Sequence, residues 1–354
     1  MKNSKNITII LFLFFIFNLI SFDSVKAQQE QYISKDYFRI MFYNVENLFD
    51  IYDDSLKNDD EFLPNGVKYW NWDKYNQKIN NICKVIIAVG GWKPPDIIGL
   101  CEIENRYVLE GIVKYTPLSK LNYQIIHKES PDRRGIDVGL LYLEDRFTPI
   151  DYQAIAINFP NNPEKKTRDI LYVKGFTKKQ DTLHIFINHW PSRWGGQLES
   201  EPNRIIVASV LRNKIDSIIN DNLNSNIIIT GDMNDEPENE SVINTLGANI
   251  NYDNISNKQL YNLSFYLKDN KGLGSYKYQG EWGILDHIIV SGNLLMKEQP
   301  LYTSLEDVHI FKKDFLLEKD NTHFGYKTFR TYIGFKFNGG YSDHLPVYID
   351  LKWE

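Results

Sequence analysis

Gly340-Tyr341-Ser342-Asp343-His344-Leu345-Pro346-Val347, a few residues from the C-terminus, sets an Asp-His pair at the mouth of an apolar, β-branched run. Most such dipeptides are ordinary surface. This one gains weight because the same arrangement recurs along the chain. Phe38-Arg39-Ile40-Met41-Phe42-Tyr43 reads as a strand and stops at Asn44-Val45-Glu46-Asn47. Asp96 to Cys101 follows Pro94-Pro95 and delivers Glu102, and Val138 to Tyr142 stands behind Arg133-Arg134-Gly135-Ile136-Asp137. Ile170 to Phe176 and Leu183 to Asn188 form a strand pair ending on His189. Asn226 to Thr230 runs into Gly231-Asp232-Met233-Asn234-Asp235, Leu285 to Val290 is opened by Asp286-His287, and Val347 to Leu351 is the final strand. Polar residues gathered at strand ends are what a rigid scaffold carrying a site looks like.

Helices alternate with these strand groups. Ile79, Ile82, Cys83, Ile86 and Val89 recur at helical spacing within Lys74 to Val89, and Ile205, Ala208, Leu211, Ile215 and Ile218 do so within Glu201 to Ile219. Strands outnumber helices, which predicts α/β layers built on two packed sheets rather than a doubly wound parallel sheet. Residues 292–336 show no period and read as an irregular insertion or long loop. Repeats and low-complexity tracts are absent from the sequence.

The N-terminus carries Lys2 and Lys5, an apolar run from Ile7 to Ile20, and Val25-Lys26-Ala27. This is the pattern of a secretory signal peptide, and the run falls short of the ~20 residues of a membrane span. The expected organisation is a signal peptide at 1–27, a polar lead-in at 28–36 and one domain at 37–354, secreted or periplasmic and without a transmembrane anchor after cleavage. Cleavage removes Lys2, Lys5, Lys26 and Asp23 and deepens the formal charge from −6 to −8. Such a chain has no global attraction for nucleic acid, so an anionic substrate must be held locally. Cys83 and Cys101, both in apolar runs, are too few for an exported disulfide scaffold and read as buried thiols, with a bridge between them left open by the sequence.

Taken singly, the polar strand ends stay ambiguous. Asn44-x-Glu46 suits turn chemistry, Glu102-x-Glu104 a helix-start charge, Gly231 to Asn234 a plain turn, His189 a satisfied core histidine, and Asp137 a partner for Arg133 or Arg134. Together they suit one reaction. A hard divalent cation takes carboxylate, amide and water oxygens, which Glu102, Glu46, Asn44 and Asp343 can offer. Hydrolysis needs a group that moves protons near neutral pH, the work of a histidine. Charge on a phosphoryl group must be met by cationic donors, for which Arg193, Arg133 and His189 are candidates.

The segments Tyr43 to Asp50, Leu100 to Asn105, Arg134 to Val138, Asn188-His189-Trp190-Pro191-Ser192-Arg193, Gly231 to Asp235, Leu285-Asp286-His287 and Ser342-Asp343-His344 resemble, in order, the motifs of the endonuclease/exonuclease/phosphatase superfamily. That group holds DNase I-like nucleases, abasic-site endonucleases, neutral sphingomyelinases and inositol-polyphosphate 5-phosphatases. The resemblance spans nearly all of 37–352 and implies a four-layered α/β sandwich, two packed mixed sheets flanked by helices, with the site at one end of the sheets. It implies Glu102 as the principal metal carboxylate, with Glu46 and Asp343 on the metal side and Asn44 near metal and phosphate. It implies Asp232 and Asn234 as the pair handling the attacking water, His344 as the phosphate-contacting proton shuttle oriented by Asp286, and His189 as a second histidine partnered by Asp137. The expected cofactor is Mg²⁺, with Mn²⁺ or Ca²⁺ as alternatives. Two departures stand out: Arg193 is followed by Trp194 where the family often has a second Arg, and 292–336 has no family counterpart.

The function expected from this is a secreted, metal-dependent phosphodiesterase, foremost a nuclease acting on nucleic acid, as a monomer with no stable protein partner. A phosphomonoesterase or a sphingomyelinase-type enzyme on the same fold is the alternative. A membrane-acting enzyme calls for an exposed apolar hairpin, and the loops read as polar apart from Trp70, Trp72, Trp92 and Trp194.

Overall fold

Alternation of apolar residues over Phe38–Tyr43 continues into a long first strand, β1 (Tyr37–Leu48), in a computed structural model that describes residues 36–354. The expected signal peptide at 1–27 and nearly all of the polar lead-in lie outside the described residues. Next comes helix α1 (Trp72–Gly90). The Asn71 side chain caps its start by accepting from the Lys74 N–H at 3.1 Å, and Gly91, at φ 63°, ends it. β2 (Ile97–Ile103), α2 (Arg106–Lys114), β3 (Tyr123–His127) and β4 (Asp137–Leu143) complete the first half. The second half runs through β5 (Phe147–Ile155), β6 (Ile170–Thr177), β7 (Thr182–His189), α3 (Gln197–Asp221), β8 (Asn226–Asp232), β9 (Ala248–Asn249), β10 (Leu260–Asn262) and α4 (Leu263–Lys271). After it come β11 (Tyr276–Tyr278), β12 (Glu281–Gly283), β13 (Asp286–Ser291), β14 (Leu301–Tyr302), β15 (Val308–Ile310), β16 (Leu317–Lys319), β17 (Tyr326–Thr328), β18 (Tyr332–Ile333), β19 (Lys336–Phe337) and β20 (Val347–Trp353).

Two large mixed sheets result. One has the order β14-β20-β1-β2-β4-β3, with β15 also on β20; the other has β5-β6-β7-β8-β13-β10-β9. β1 and β2 are parallel, as are β7 and β8, while β13 runs antiparallel to β8. On the second sheet, Tyr172, Phe186, Ile227, Ile229 and Ile289 pack with Val207, Ala208, Leu211 and Ile215 of α3. Alternation along β7 turns Ile187 the other way, to where a Cβ on Gly99 of β2 would meet its Cδ1 at 2.6 Å. Gly99 is thus the point of close approach between the sheets. On the far side of the first sheet, Gly139 leaves room for Leu109 of α2. Helix, sheet, sheet and helix stack as the α/β sandwich expected.

Cys83 and Cys101 are both buried and unbridged. Among the described residues, no helix is long and apolar enough to cross a membrane. One sequence expectation is corrected: 292–336 is not irregular. β14 and β15 extend the first sheet along β20, with Val308 opposite Ile349 and Ile310 opposite Val347, and β16–β17 and β18–β19 form two hairpins. Strands of two or three residues are too short to display a period, and β14 and β15 become strands only by pairing with β20.

Candidate active site

The parallel and antiparallel registers of the second sheet bring three side chains level. Asp232 at the end of β8 lies opposite His189 at the end of β7 and Asp286 at the start of β13. At the same end of the first sheet, the strands break register between Asn44 and Leu48 of β1 and between Cys101 and Ile103 of β2. Such breaks re-aim side chains that alternation would send elsewhere. Glu46, Asn47, Glu102 and Asn234 all have φ between 52° and 60°. Each left-handed residue of this kind costs ~1–3 kcal/mol, and their gathering at one place marks the strand ends as a site. Gly231 precedes Asp232 because a Cβ there would lie 2.3 Å from the Asn188 carbonyl oxygen.

Asn44 joins the two sheets. Its Nδ2 donates to Asp232 Oδ2 at 3.0 Å and to Glu102 Oε1 at 3.3 Å, and its Oδ1 accepts from the Glu46 N–H at 2.9 Å. Asp232 Oδ1 accepts from the Asn234 N–H at 2.9 Å, and Asn234 Nδ2 donates to the Trp190 carbonyl. His344 arrives from the turn before β20. Ser342 Oγ donates to the Asn44 carbonyl and accepts from the His344 N–H, tying that turn to β1. His344 Nδ1 lies 2.7 Å from Asp286 Oδ2 and its Nε2 3.7 Å from Asp232 Oδ2. Tyr276, at the start of β11, lies over the imidazole with ring centroids 4.7 Å apart; sequence reasoning passed over it, because β11 is three residues long.

The two histidines are driven in opposite directions. Burial pulls the His344 imidazolium down, but Asp286, Asp232 and Asp343 outweigh it and leave it well above the usual range. His189 is held well below, by burial and then by Arg168, Arg134 and His344. Burial pushes the Asp232 carboxyl up to about 7, with Asp286 and Glu102 adding to the rise and His344 and the Asn234 N–H opposing it. Environments that separate neighbouring titrating groups in this way divide acid from base.

The structure separates some residues that the sequence put together. Asp137 does not partner His189. It faces His127 Nε2 at 3.0 Å and accepts from Ser130, because β4 pairs with β3 and the ends of those two strands meet. His189 instead has Nε2 3.8 Å from Asp232 and 3.9 Å from Glu102. Arg133 is exposed and reaches the Glu164 carbonyl; its neighbour Arg134 is the one whose charge bears on His189. Arg193 is fastened to the loop after β8, through the Asn234 carbonyl at 2.7 Å and Asn239 Oδ1 at 3.3 Å. Asp235 in that loop is buried against Arg204 of α3, 2.6 Å away. Arg168, in the polar run Lys165 to Asp169 just before β6 and not singled out from the sequence, bonds Asp132 and the Trp190 carbonyl.

Glu46 and Asp343 meet a further unforeseen residue. Arg330, from the segment between β17 and β18, donates from Nε to Glu46 Oε1 and from Nη2 to Asp343 Oδ2, each at 3.0 Å. Beneath them lies buried Lys78 of α1, bonded to Thr331 and the Tyr341 carbonyl. Burial draws its ammonium down to about 8 against the pull of Glu46, Asp343 and Glu102. Five carboxyl groups, on Glu46, Glu102, Asp232, Asp286 and Asp343, therefore meet three basic groups, on Lys78, Arg330 and His344. The imbalance falls on Glu102. Among the described residues its oxygens accept only from Asn44 Nδ2 and the Asn47 N–H, and no Lys or Arg nitrogen lies within 4.0 Å of it. A carboxylate held by neutral donors beside a neutral histidine is a fit for a hard divalent cation.

Solved structures share this fold. Human Nocturnin catalytic domain with bound sulfate is 19% identical, covering 91% of this chain and 96% of its own, with a TM-score of 0.54. D. rerio TDP2 in complex with a single-strand DNA product is 14% identical, over 90% and 99%, with a TM-score of 0.55. A Bacteroides thetaiotaomicron protein of the endonuclease/exonuclease/phosphatase family is 15% identical, over 91% and 96%, with a TM-score of 0.53. At these identities the likeness is one of fold. No curated protein matches the chain. The sequence model of the Endonuclease/Exonuclease/phosphatase family matches residues 39–353, and with nearly the whole described chain so matched, the protein belongs to that family.

Proposed function

We propose that the chain is an exported phosphodiesterase that hydrolyses nucleic-acid phosphodiester bonds with the help of a divalent cation. Members of the family are phosphoric ester hydrolases. The observation that carries the reading here is His344, fixed at Nδ1 by Asp286 and facing Asp232 with Nε2, beside the unneutralised Glu102. Asp286 holds the imidazole in one orientation, and the surrounding carboxylates keep it cationic, ready to meet a phosphoryl oxygen and to give up a proton. Asp232 is suited to take the proton of the attacking water, since a base works best with a pKa near the working pH. Asn44 and the Asn234 N–H each hold one of its oxygens. His189, kept neutral, offers a hydrogen bond without a charge. A divalent cation on Glu102 would neutralise the phosphoryl oxygens and polarise the ester.

Nucleic acid is favoured by a groove lined by Lys165, Lys166, Arg168, Pro191, Trp194 and Glu199, in which the three cations outnumber the one carboxylate. Trp194 is 91% exposed, and an exposed indole next to cations suits stacked bases and their phosphates. The TDP2 relative bound to a single-strand DNA product supports the same direction. One observation favours the sphingomyelinase-type alternative. The turns of the β16–β17 and β18–β19 hairpins present Phe324, fully exposed, and Phe335, 68% exposed, where the sequence reading expected polar loops.

A substrate panel with Mg²⁺, with Ca²⁺ and with chelator decides between them. Cleavage of plasmid DNA or RNA alone, lost in chelator, is the expected result. Release of phosphocholine from sphingomyelin would replace the nuclease reading, and hydrolysis of inositol phosphate alone would make the chain a phosphomonoesterase.

A further inference from the structure

We propose that Arg330 is a built-in second cation: its guanidinium fills the Glu46–Asp343 half of the site, so that the chain takes a single divalent ion, at Glu102. The inference rests on the metal-assisted reading above and adds the number of ions and the residue that sets it.

Glu46 and Asp343 would, if open, form a second pair of oxygen ligands next to Glu102. They are not open. Arg330 spans them with two separate donors, Nε on one carboxylate and Nη2 on the other. Glu46 Oε2 is also taken, by the Thr331 N–H at 2.7 Å. With Lys78 beneath, two carboxylates face two cations and that half of the site is neutral, whereas among the described residues Glu102 has no Lys or Arg contact. A planar guanidinium on two carboxylates excludes a small hard ion from between them.

A plain structural role for Arg330 is a poor explanation of this placement. The strap that carries it is already pinned by backbone bonds: Tyr341 N–H to the Phe329 carbonyl at 2.6 Å, Gly340 N–H to the Arg330 carbonyl at 3.1 Å, and Asn338 and Gly339 N–H to the Thr331 carbonyl. Gly340 permits this closeness, since a Cβ there would lie 2.2 Å from the Phe329 carbonyl oxygen and 2.4 Å from that of Arg330. The strap is therefore built hard against Ser342-Asp343-His344 whatever the side chain at 330 does. The Arg330 side chain remains 41% exposed, so a fixed positive charge stays within reach of a phosphate, at a place where transition-state charge is stabilised.

The test is the number of Mn²⁺ ions bound, counted from the electron paramagnetic resonance signal of free Mn²⁺ during titration of the full chain without substrate. The wild type is expected to bind one ion, Arg330→Met two, and the double variant Arg330→Met with Glu46→Gln one again. Circular dichroism and unfolding in chelator establish that each variant is folded. Two ions on the wild type would overturn the proposal while leaving the metal-dependent reading in place. One ion on a folded Arg330→Met would overturn it as well. If Arg330→Met fails to fold, the wild-type count still decides. A wild type that binds no Mn²⁺ would remove the metal-dependent reading, and this inference with it.

Discussion

His344 shows how little a residue means before its partners are known. Its neighbour in sequence, Asp343, is turned towards Arg330, and the carboxylate on its ring nitrogen comes from Asp286, on another strand. Two predictions belong at this scale. His344→Ala should lower kcat by about 10²–10⁴, the usual worth of a positioned proton donor, and should also lower the unfolding midpoint in chelator, since it leaves buried Asp286 without its cationic partner; steady-state kinetics and a thermal melt check both halves. Asp286→Asn removes the charge that does most to hold His344 cationic. The imidazole should then titrate markedly lower, read by NMR of the ring protons, and kcat should fall within the same range. A ring titration unmoved by Asp286→Asn would take the orienting role away from that residue.

At the scale of elements, the site depends on strands kept close and strand ends bent. Gly99 is where β2 approaches β7, and Gly99→Ala would press a methyl into Ile187 at 2.6 Å. Overpacking of this kind costs about 1–3 kcal/mol, measurable by urea unfolding. Because Glu102 lies three residues further along β2, the same change should also lower activity. The elements were unequally legible. β1, β2, β4, β6, β7, β8, β13 and β20 carry continuous or alternating apolar runs, and α1 and α3 carry helical stripes, so all are readable locally. β5 is half exposed along its length and α2 is nine residues long, so neither has a pattern that stands out. α3 starts at Gln197, one turn before the reading that began at Glu201, with Pro202 inside it; Ser200 bridges that turn by bonding the Gly196 carbonyl through both its N–H and its Oγ.

The whole molecule buries more acid than base around the strand ends, and its stability should report this. Asp232 is pushed to about 7 and Glu104 to about 8, and His344 well above its usual value. Groups whose folded pKa is raised stabilise the chain while protonated and lose that contribution as pH rises through the folded value. Buried His184 and His189 are depressed and act the other way, but only below their unfolded pKa of ~6.5. From pH ~6.5 to ~8 all these contributions run in one direction. In chelator, the unfolding midpoint should therefore fall across that window, by at least roughly 2 °C. Mg²⁺ or Mn²⁺ added near pH 8 should restore part of the loss, since an ion bound only by the folded chain stabilises it by mass action. Differential scanning calorimetry with and without metal checks both; a midpoint that climbs from pH 6.5 to 8 in chelator would contradict the raised values of Asp232, Glu104 and His344.

By itself the sequence determined the two-sheet architecture, the polar strand ends and, through the order of its motifs, the family. These are local properties: a buried strand must be apolar, and the residue that ends it must meet water or a ligand. Only the tertiary structure decided the pairings. Asp137 went to His127 and not to His189, Arg134 came to bear on His189, and Arg330 came from a stretch with no readable period to close on Glu46 and Asp343. Partners of that kind are chosen by strand register and backbone turns, whether 10 residues apart, as with His127 and Asp137, or 284, as with Glu46 and Arg330, and no spacing along the chain records them.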